Sequence, residues 1–452
     1  MAAAKAGFAP ADTKAHCDAI AAQFLVLWEK LGIQFDRFVR TTDMRHAPIV
    51  AEFIERVWDN GDIYKSTYEG LYCTGCEEYK DPKELEDGDV CPIHKAPCEY
   101  RKEENYFFAL SKYQKQLEEF HAANPDFVQP ADRRNEVLGW IKEGLRDFSV
   151  SRANNPWGIP VPRDPAQTIY VWFDALLGYV SALTPEEADP TLSAATSKAW
   201  PAEVHVIGKD ILRFHAVYWP AMLMSAGLPL PKKVFGHGFL TKDGLKMGKS
   251  LGNTLDPTEL VDHFGSDAVR YYFLRAIDFG KDGDFSYERF VNVINSDLAN
   301  NIGNLLNRSL NLLKKNCDST LPVDPSTAAP EDHPLRVLAV EKTRAAYEAY
   351  ARLDFSGATE ALTDIARGAN AFIDERAPWT AFKEDRHDDA AQTLAIVLEV
   401  VRIVAVGISP VTPNLSSRIY RALGLDATEL KWEDLTWGGL AQNSHFPKPK
   451  PV

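Results

Sequence analysis

Two lysines lie three residues apart in the glycine-rich stretch Gly236–Asn253, GHGFLTKDGLKMGKSLGN. Glycine adopts backbone conformations that other residues avoid, so this stretch is predicted to form a polar hairpin with a loop. The ammonium groups of Lys246 and Lys249 on such a loop can bind a polyphosphate and stabilise the charge that develops on a pyrophosphate leaving group. A solvated basic turn is the alternative interpretation of residues 246–250 taken alone.

Six cysteines are too few for a disulfide scaffold in a chain of this length. Four of them fall between residues 73 and 98, a clustering that indicates a metal site in a reducing compartment. Cys73 and Cys76 are separated by two residues, and so are Cys91 and His94. Two turns that each present two such ligands suit tetrahedral Zn²⁺, and the site would be structural because protein ligands fill all four positions. Cys98 could replace His94 as the fourth ligand. Unpaired thiols that happen to cluster are the alternative.

The stretch Thr168–Val180, TIYVWFDALLGYV, has the continuous apolar character of a buried parallel strand that runs into a helix. Ligands of open α/β sheets bind outside the carboxyl ends of the strands. Trp172, Ala175 and Tyr179 could therefore line a pocket for an unbranched side chain. Core packing explains the same residues equally well.

A second strand is predicted at 203–207, and it is followed by Gly208 and Asp210. A carboxylate at a strand end beside glycine can accept hydrogen bonds from ribose hydroxyls. Ile211 and His215 follow one helical turn apart and face the same way. A histidine on an apolar helix is more often a satisfied core residue, but its position directly after Asp210 favours the pocket.

A local basic segment occurs at 298–316, which contains Arg308, Lys314 and Lys315 and no acidic residue. Trp379 follows Pro378 at a predicted helix terminus, where a polar residue would be expected. An aromatic ring there can stack on a splayed base, and Arg308 with Asn304 can read base edges. A hydrophobic capping residue is the alternative interpretation of Trp379.

The elements that must position these residues follow from the apolar spacing. Helices are predicted at 11–31, 46–58 and 132–145, as a pair at 256–274, at 290–313 and at 394–408 within an all-α bundle. Residues 35–40 are predicted to form a short strand, 104–120 to carry apolar residues at helical intervals, and 284–286 to form a turn.

The composition limits the classes of function. With 452 residues, 45% of them hydrophobic and 25% charged, the chain is predicted to be soluble and to fold into two or three domains. The net charge of −14 argues against coating nucleic acid by bulk electrostatics, so any RNA contact must be local. The longest apolar run, 394–408, is interrupted by Glu399 and Arg402, and no membrane association is expected. The N-terminus resembles neither a secretory signal nor a transit peptide.

The sequence Lys246-Met247-Gly248-Lys249-Ser250 resembles the Lys-Met-Ser-Lys-Ser motif of class I aminoacyl-tRNA synthetases, with glycine in place of the third residue. Together with the cysteine insert, this motif makes the chain resemble the methionyl-tRNA synthetase family over essentially its whole length. The other stretches that carry the resemblance are VWFDALLGYV, VIGKDILRFHAVYWPAML, NNIGNLLNRS and DERAPW. The bacterial-type enzymes of cyanobacteria and plant organelles are the most similar.

The resemblance implies an α/β fold: an incomplete Rossmann-type catalytic domain with a zinc-knuckle insert, followed by an all-α anticodon-binding helical bundle. The implied divisions are a partial first Rossmann half at 1–62, the connective insert at 63–150, the second Rossmann half at 151–235, the lysine loop and stem-contact region at 236–288, and the anticodon-binding domain with a C-terminal linker at 289–452.

The implied activity is ATP-dependent ligation of methionine to its tRNA through methionyl-adenylate. ATP, Mg²⁺ and structural Zn²⁺ are the implied cofactors, tRNA(Met), methionine and ATP the partners, and a monomer or homodimer the assembly. Lys246 and Lys249 would be catalytic. The implied ATP-binding residues are Gly208, Asp210, His237, Gly238, Lys246, Met247 and Lys249. The implied methionine-binding residues are Trp172, Ala175, Tyr179, Ile211 and His215. The implied anticodon-binding residues are Asn304, Arg308, Pro378 and Trp379, and the implied metal ligands are Cys73, Cys76, Cys91 and His94.

The sequence departs from the family pattern in two further ways. Leu176 stands where part of the family has proline, and no His-Ile-Gly-His motif occurs in the chain. The missing motif predicts an N-terminally truncated form, and the alternative function is a catalytically impaired tRNA-binding fragment. A cysteine-specific relative is disfavoured, because the metal of such an enzyme lies in the amino acid pocket, whereas the clustered cysteines of this chain lie in a separate insert. The resemblance implies a chloroplast or mitochondrion, and otherwise the cytoplasm is expected.

Overall fold

The computed structural model describes residues 12–75, 78–93, 95–153, 157–247, 253–428 and 430–450. Contacts divide them into an α/β unit, Phe35–His237, and a helical unit made of 12–34 and 238–450. Helix α1 (Thr13–Lys30) belongs to the helical unit, where the Lys30 ammonium lies 2.7 Å from the Asp262 carboxylate. The domain divisions inferred from the sequence stay predictions, since these contacts separate the chain at other positions.

The α/β unit contains seven α-helices and twelve strands among its described residues. The helices are α2 (His46–Asp59), α3 (Gln114–Ala123), α4 (Ala131–Lys142), α5 (Val171–Ala175), α6 (Gly178–Ser181) and α7 (Leu192–Ala195), with α8 (Trp219–Ser225) following a π-helix at Phe214–Tyr218 as a seventh. The strands are β1 (Ile63–Cys73), β2 (Glu78–Lys80), β3 (Val90–Cys91), β4 (Ala96–Pro97), β5 (Glu99–Phe108), β6 (Val128–Gln129), β7 (Phe148–Ser149), β8 (Ser151–Ala153), β9 (Pro160–Val161), β10 (Asp164–Ile169), β11 (His205–Gly208) and β12 (Val234–His237).

The strands of this unit form one parallel sheet and three antiparallel ones. The parallel sheet has the order β11-β12-β6, and the antiparallel sheets have the orders β2-β1-β5-β7, β8-β10-β9 and β3-β4. The parallel sheet places the carboxyl ends of β11 and β12 side by side, and ligands of open α/β sheets bind at such ends. Strand β10, at whose end the sequence predicts the crevice, belongs to another sheet. The sheet of β1 and β5 belongs to the cysteine insert.

Three predictions for this unit are wrong. Strand β10, predicted to be parallel, pairs antiparallel with β8 and β9, because the connections between them are too short for a parallel crossover. Residues 104–108 extend along β1 in strand β5 instead of showing helical spacing, since the ladder from Ile63 to Tyr72 outweighs the local pattern. Residues 35–40 form no strand.

Helix α2 forms part of the core of the α/β unit. It buries five apolar side chains, Ile49, Val50, Phe53, Ile54 and Val57. The Phe53 ring lies edge-on to Phe173 with centroids 5.8 Å apart, and 6.1 Å from the indole of Trp219. Since α2 makes buried contacts along its whole apolar face, it is a rigid base for the helices around it.

The helical unit continues after β13 (Leu240–Lys242) and β14 (Leu245–Lys246) with helices and one further strand. These are α9 (Pro257–Phe264), α10 (Ser266–Arg275), β15 (Gly283–Phe285), α11 (Tyr287–Val293), a π-helix at Ile294–Gly303, α12 (Asn304–Asn316), α13 (Pro325–Ala328), α14 (Pro334–Ala351), α15 (Phe355–Arg376), α16 (Pro378–Ala381), α17 (His387–Ile408) and α18 (Pro413–Ala422). The predicted helix pair, the long helical region and the all-α bundle are confirmed.

Helix α17 is the centre of the bundle. It is long and apolar enough to cross a membrane, but 94% of its most apolar segment is buried inside the protein, which is typical of a core helix. Its two buried charged residues are paired, with Arg402 Nη2 2.6 Å from Glu399 Oε1. The Glu399 carboxylate also accepts hydrogen bonds from the backbone N–H groups of Gly438, Gly439 and Leu440 at 2.8–3.0 Å. This carboxylate therefore binds the C-terminal segment to the core helix.

Candidate active site

The carboxyl ends of β11 and β12 bring together three of the predicted ATP-binding residues. Gly208 and His237 are register partners in the parallel ladder, and Asp210 follows in a 3₁₀ turn. A methyl group added to Gly208 would lie 2.5 Å from Asp210 Oδ1, so a side chain here would force the Asp210 carboxylate to shift. The exposed Asp210 carboxylate thus lies where an open α/β sheet binds its ligand.

Tyr179 and His215 form the hydrogen-bonded centre of the predicted methionine pocket. Tyr179 Oη lies 2.8 Å from His215 Nε2, and His215 Nδ1 lies 2.9 Å from the Ile211 carbonyl oxygen. A carbonyl can only accept, so Nδ1 carries the proton and Nε2 accepts the hydrogen bond from the tyrosine hydroxyl. Both nitrogens of His215 are therefore satisfied within the protein.

Trp172 contributes an aromatic wall to the same region. Its indole stacks on Phe214 with ring centroids 4.2 Å apart and an interplanar angle of 14°, an arrangement typical of offset stacking. Ala175 is half-buried, whereas Leu176, at the position that departs from the family pattern, is buried in the core of the unit. Trp172 stacks on Phe214 and Tyr179 is hydrogen-bonded to His215, so two adjacent residues connect Trp172 with Tyr179. Ile211 lies one helical turn before His215.

His205 is a residue that the sequence did not indicate. It is the first residue of β11, 2% exposed, and its ring lies 4.1 Å from that of Tyr179. Its Nε2 accepts a hydrogen bond of 3.3 Å from the Trp219 indole N–H. A single polar residue at the start of an apolar strand gave no pattern from which this contact could be predicted. His205 packs on the ring of Tyr179, and its own ring lies 6.1 Å from that of His215.

Burial keeps these groups uncharged. It lowers the pKa of His215 to about 4 and, with the neighbouring His215, the pKa of His205 to about 3. It raises the pKa of Tyr179 to about 12. Between these values, all three side chains are neutral, and the hydrogen-bond donors described above are used internally. A pocket lined by these neutral groups would fit an uncharged, weakly polar side chain and disfavour one that brings a charge.

The lysine-bearing segment begins with an ordered hairpin in the helical unit. Strands β13 and β14 are antiparallel, and Asp243 and Gly244 both have positive φ, 53° and 75°, as a tight hairpin turn requires. Asp284 Oδ1 accepts hydrogen bonds from Thr241 Oγ1 at 2.6 Å and from Gly244 N–H at 2.8 Å. The turn was predicted at 284–286, but Gly283–Phe285 form strand β15 because they pair with β13.

Lys246 is the last residue of β14, and its backbone pairs with Thr241. Lys249 and Gly248 lie outside the described residues. Gly238, another predicted ATP-binding residue, has a clear structural reason: a methyl group there would lie 2.1 Å from the Lys281 carbonyl oxygen. Only glycine allows the chain to pass this backbone before it enters the hairpin.

Three cysteines of the insert lie near one another. Cys73 ends β1 and Cys91 ends β3, and both are buried. Burial, and then the neighbouring thiols of Cys73 and Cys91, raise the pKa of the Cys98 thiol. Cys76 and His94 lie outside the described residues. Among the residues that the structure does describe, no three ligand side chains are close enough to hold a metal ion.

The predicted anticodon residues lie on α12 and α16. Arg308 Nη1 is 2.7 Å from Asp374 Oδ1, and its Nη2 donates to Asn370 Oδ1 at 3.0 Å. Asn304, at the start of α12, donates to Asn300 at 3.2 Å. Trp379 is 37% exposed, whereas the preceding Pro378 is buried. The exposed indole and the oriented guanidinium are groups that can stack on and read bases.

Comparisons with known proteins identify the family. The family model "tRNA synthetases class I (M)" matches residues 1–92 and 73–310, and the model "Anticodon binding domain of methionyl tRNA ligase" matches 324–444. The chain is 59% identical to the chloroplastic/mitochondrial methionine–tRNA ligase of Arabidopsis thaliana, over 97% of this chain and 72% of that protein. The chain belongs to the methionyl-tRNA synthetases. It is also 53% identical to the methionine–tRNA ligase of Nostoc, over 96% of this chain and 84% of that protein.

A solved methionyl-tRNA synthetase has the same fold. The structure of the Mycobacterium tuberculosis enzyme bound by methionyl-adenylate matches with a TM-score of 0.92 and 38% identity, over 100% of this chain and 88% of that chain. The predicted fold class, an α/β catalytic domain followed by a helical anticodon-binding domain, is confirmed. The predicted activity is confirmed as well: this synthetase is a methionine–tRNA ligase that uses ATP to join methionine to tRNA.

Proposed function

We propose that methionine binds in the α/β unit among Trp172, Ala175, Tyr179, Ile211 and His215, and that ATP binds to Gly208, Asp210, His237, Gly238, Lys246, Met247 and Lys249. The observation that carries the proposal is the hydrogen bond between Tyr179 and His215 in the unit whose parallel strands end at Gly208 and His237. These two neutral side chains would line an uncharged pocket in the same unit as the exposed Asp210 carboxylate, which can accept hydrogen bonds from ribose hydroxyls.

The reaction proceeds in two steps without a protein nucleophile. The methionine carboxylate attacks the α-phosphorus of ATP, the bond to the β-phosphate oxygen breaks, and pyrophosphate leaves. The terminal ribose hydroxyl of the tRNA then attacks the methionyl carbonyl carbon, and AMP leaves. Mg²⁺ would accompany the ATP phosphates and neutralise part of their charge. The protein contributes orientation through the pocket and charge stabilisation through Lys246 and Lys249.

The pocket selects its amino acid because it offers no hydrogen-bond partner to a polar side chain. His215 has no free nitrogen, since one donates to Ile211 and the other accepts from Tyr179. A charged or strongly polar side chain would lose its hydration and find no hydrogen-bond partner in His215. Burying a polar group without a partner costs on the order of several kcal/mol. A thioether loses little, so methionine is favoured over glutamine or lysine of similar length.

Methionine-dependent exchange of pyrophosphate into ATP by the purified chain tests the proposal. We expect exchange that requires methionine and is not supported by glutamine. Tight binding of tRNA without any exchange would instead favour the catalytically impaired fragment. N-terminal truncation, tRNA(Met) as the cognate RNA, the monomer or homodimer, and the chloroplast or mitochondrion stay predictions.

We further propose that Asn304, Arg308, Pro378 and Trp379 recognise the anticodon. Asp374 and Asn370 hold the Arg308 guanidinium in one orientation, which lowers the entropy that is lost when it binds a base edge. The exposed Trp379 indole lies directly after the buried Pro378, which fixes its backbone. In a chain with a net charge of −14, such pre-ordered groups supply the local contacts that bulk charge cannot.

Replacing Trp379 with alanine is expected to lower kcat/KM for tRNA by about 5- to 150-fold, because stacking on a base contributes roughly 1–3 kcal/mol. Pyrophosphate exchange without tRNA should not change. Tyr347→Ala is a matched control, since this ring is 57% exposed on α14 of the same bundle. Equal losses in tRNA charging for both variants would show that Trp379 has no special role.

We also propose that Cys73, Cys76 and Cys91, with His94 or Cys98, hold a structural Zn²⁺. Thiolates and imidazole are the donors that Zn²⁺ prefers, and the thiol of Cys98 interacts electrostatically with those of Cys73 and Cys91. With four protein ligands bound, the ion would stabilise the insert and take no part in catalysis.

The purified chain is expected to contain about one zinc atom, as tetrahedral protein sites do. Elemental analysis of Cys98→Ser and His94→Ala then identifies the fourth ligand, because only the variant that removes a ligand should lose zinc. Cys17→Ser is the control, since Cys17 lies on α1 in the other unit. Full zinc content in Cys73→Ser would contradict the proposed site.

A further inference from the structure

His46 connects α2 to the two short helices that carry predicted methionine-binding residues. It is the first residue of α2 and is 1% exposed. Its Nε2 lies 2.5 Å from Asp174 Oδ1 on α5, and its Nδ1 lies 2.8 Å from Ser181 Oγ on α6. The carboxylate can only accept, so Nε2 carries a proton, and in the neutral ring Nδ1 accepts from the serine hydroxyl.

The spacing along α5 and α6 turns these contacts away from the pocket. Successive helical residues are rotated by about 100°, so residues two apart lie on nearly opposite sides. Asp174 is two residues after Trp172, and Ser181 is two residues after Tyr179. His46 therefore binds the back of both helices, while Trp172 and Tyr179 project from the other side.

Helices of this length need such support. α5 has five residues and α6 has four, so neither has enough internal hydrogen bonds to define its own orientation. His46, in contrast, is attached to a helix that is buried along its apolar face, and its backbone N–H donates to the Asp43 carbonyl at 3.0 Å. Besides the Phe53–Phe173 contact with α5, one imidazole ring thus connects α2 to both short helices through hydrogen bonds.

We infer that His46 is a positioning residue for the methionine site: with Asp174 and Ser181 it fixes the angle between α5 and α6 and so the separation of Trp172 from Tyr179. This inference rests on the proposed function. A shift of about 1 Å in a substrate-binding group can cost on the order of 100-fold in rate, so a residue that touches no substrate can control the pocket. Purely apolar packing would not need a buried histidine paired with a carboxylate, whose desolvation is costly.

Three substitutions separate the contacts. His46→Leu keeps the buried volume and removes both hydrogen bonds, whereas His46→Gln places an amide N–H near the Nε2 position and keeps the bond to Asp174. For His46→Leu we expect the KM for methionine in pyrophosphate exchange to rise by about 10- to 100-fold, with the KM for ATP within about twofold. His46→Gln should restore most of the affinity. Glu52→Gln, on the same helix, is the control and should leave both constants unchanged, because Glu52 binds Leu192 and Arg56 and not α5 or α6.

A second readout does not depend on activity. In crystal structures, His46→Leu should displace the Trp172 or Tyr179 ring relative to the wild type, and His46→Gln should return it. The inference is overturned if folded His46→Leu keeps both the ring positions and the KM for methionine, or if His46→Gln and His46→Leu raise the constants for methionine and ATP equally. A wild-type chain without exchange would count against the proposed function alone, and the crystal structures would still decide the role of His46.

Discussion

Replacing Lys246 or Lys249 with alanine is expected to lower kcat for pyrophosphate exchange by about 100- to 1,000-fold, the range for removing one group that stabilises transition-state charge. The ammonium groups would interact with negative charge that increases on the leaving pyrophosphate, so the loss should appear in kcat. The KM for methionine should change by less than about threefold, because the amino acid pocket lies in the other unit of the chain. Single-turnover formation of methionyl-adenylate measures the step directly.

Lys242→Ala provides the matched control for both lysines. It removes the same charge from the same hairpin, but its ammonium lies 5.7 Å from the centre of the Tyr287 ring and has no assigned role with ATP. Little change in kcat is expected for Lys242→Ala. If all three variants lost activity equally, the effect would come from the net charge of the hairpin, and specific phosphate binding would be wrong.

Replacing Glu399 with alanine is expected to lower the free energy of unfolding of the helical unit by about 3–5 kcal/mol, the range for removing one partner of a buried ion pair. The Glu399 side chain is fully buried, and its loss leaves the Arg402 guanidinium uncompensated. It also removes the acceptor for the backbone N–H groups of Gly438, Gly439 and Leu440. The segment from 438 to 440 should separate from α17.

Native-state hydrogen exchange of α17 amides measures this change without assuming that both units unfold together. Glu348→Ala is the control, because Glu348 pairs with Arg344 at 3.3 Å on the surface and such pairs contribute about 0–1 kcal/mol. Protection of α17 equal to that of the wild type in Glu399→Ala would refute the proposed stabilisation.

The sequence predicted those parts of the fold that depend on local patterns. α17 is recognisable because its apolar run contains only two charged residues, Glu399 and Arg402. The β13–β14 hairpin is recognisable because Asp243 and Gly244 tolerate positive φ. Tyr179 and His215 were both named from the sequence, but the hydrogen bond between them was not predicted. The antiparallel setting of β10 was missed, because its apolar run is equally suited to a parallel strand and only its partners decide between them.

The contacts of single buried polar residues could not be predicted at all. His46 lies 128 residues from Asp174 and 135 from Ser181, and neither separation belongs to a repeating pattern. The same is true of His205 and Trp219, which meet because a strand packs on a helix. Periodicity indicates which face of an element is buried, but not which polar group it meets there.

The position of α1 affects how the chain can be assembled. Lys30 and Asp262 are 232 residues apart, and Arg270 donates to the Leu31 carbonyl at 3.2 Å, so the helical unit is built from segments on both sides of the α/β unit. During translation, α1 leaves the ribosome long before the segments that it packs against are synthesised. Most of the polypeptide must therefore be made before this helix can dock. A gene fragment starting at residue 238 would therefore encode a bundle without its first helix, whereas a deletion variant in which a linker joins residue 34 directly to residue 238 would encode the unit as one continuous chain.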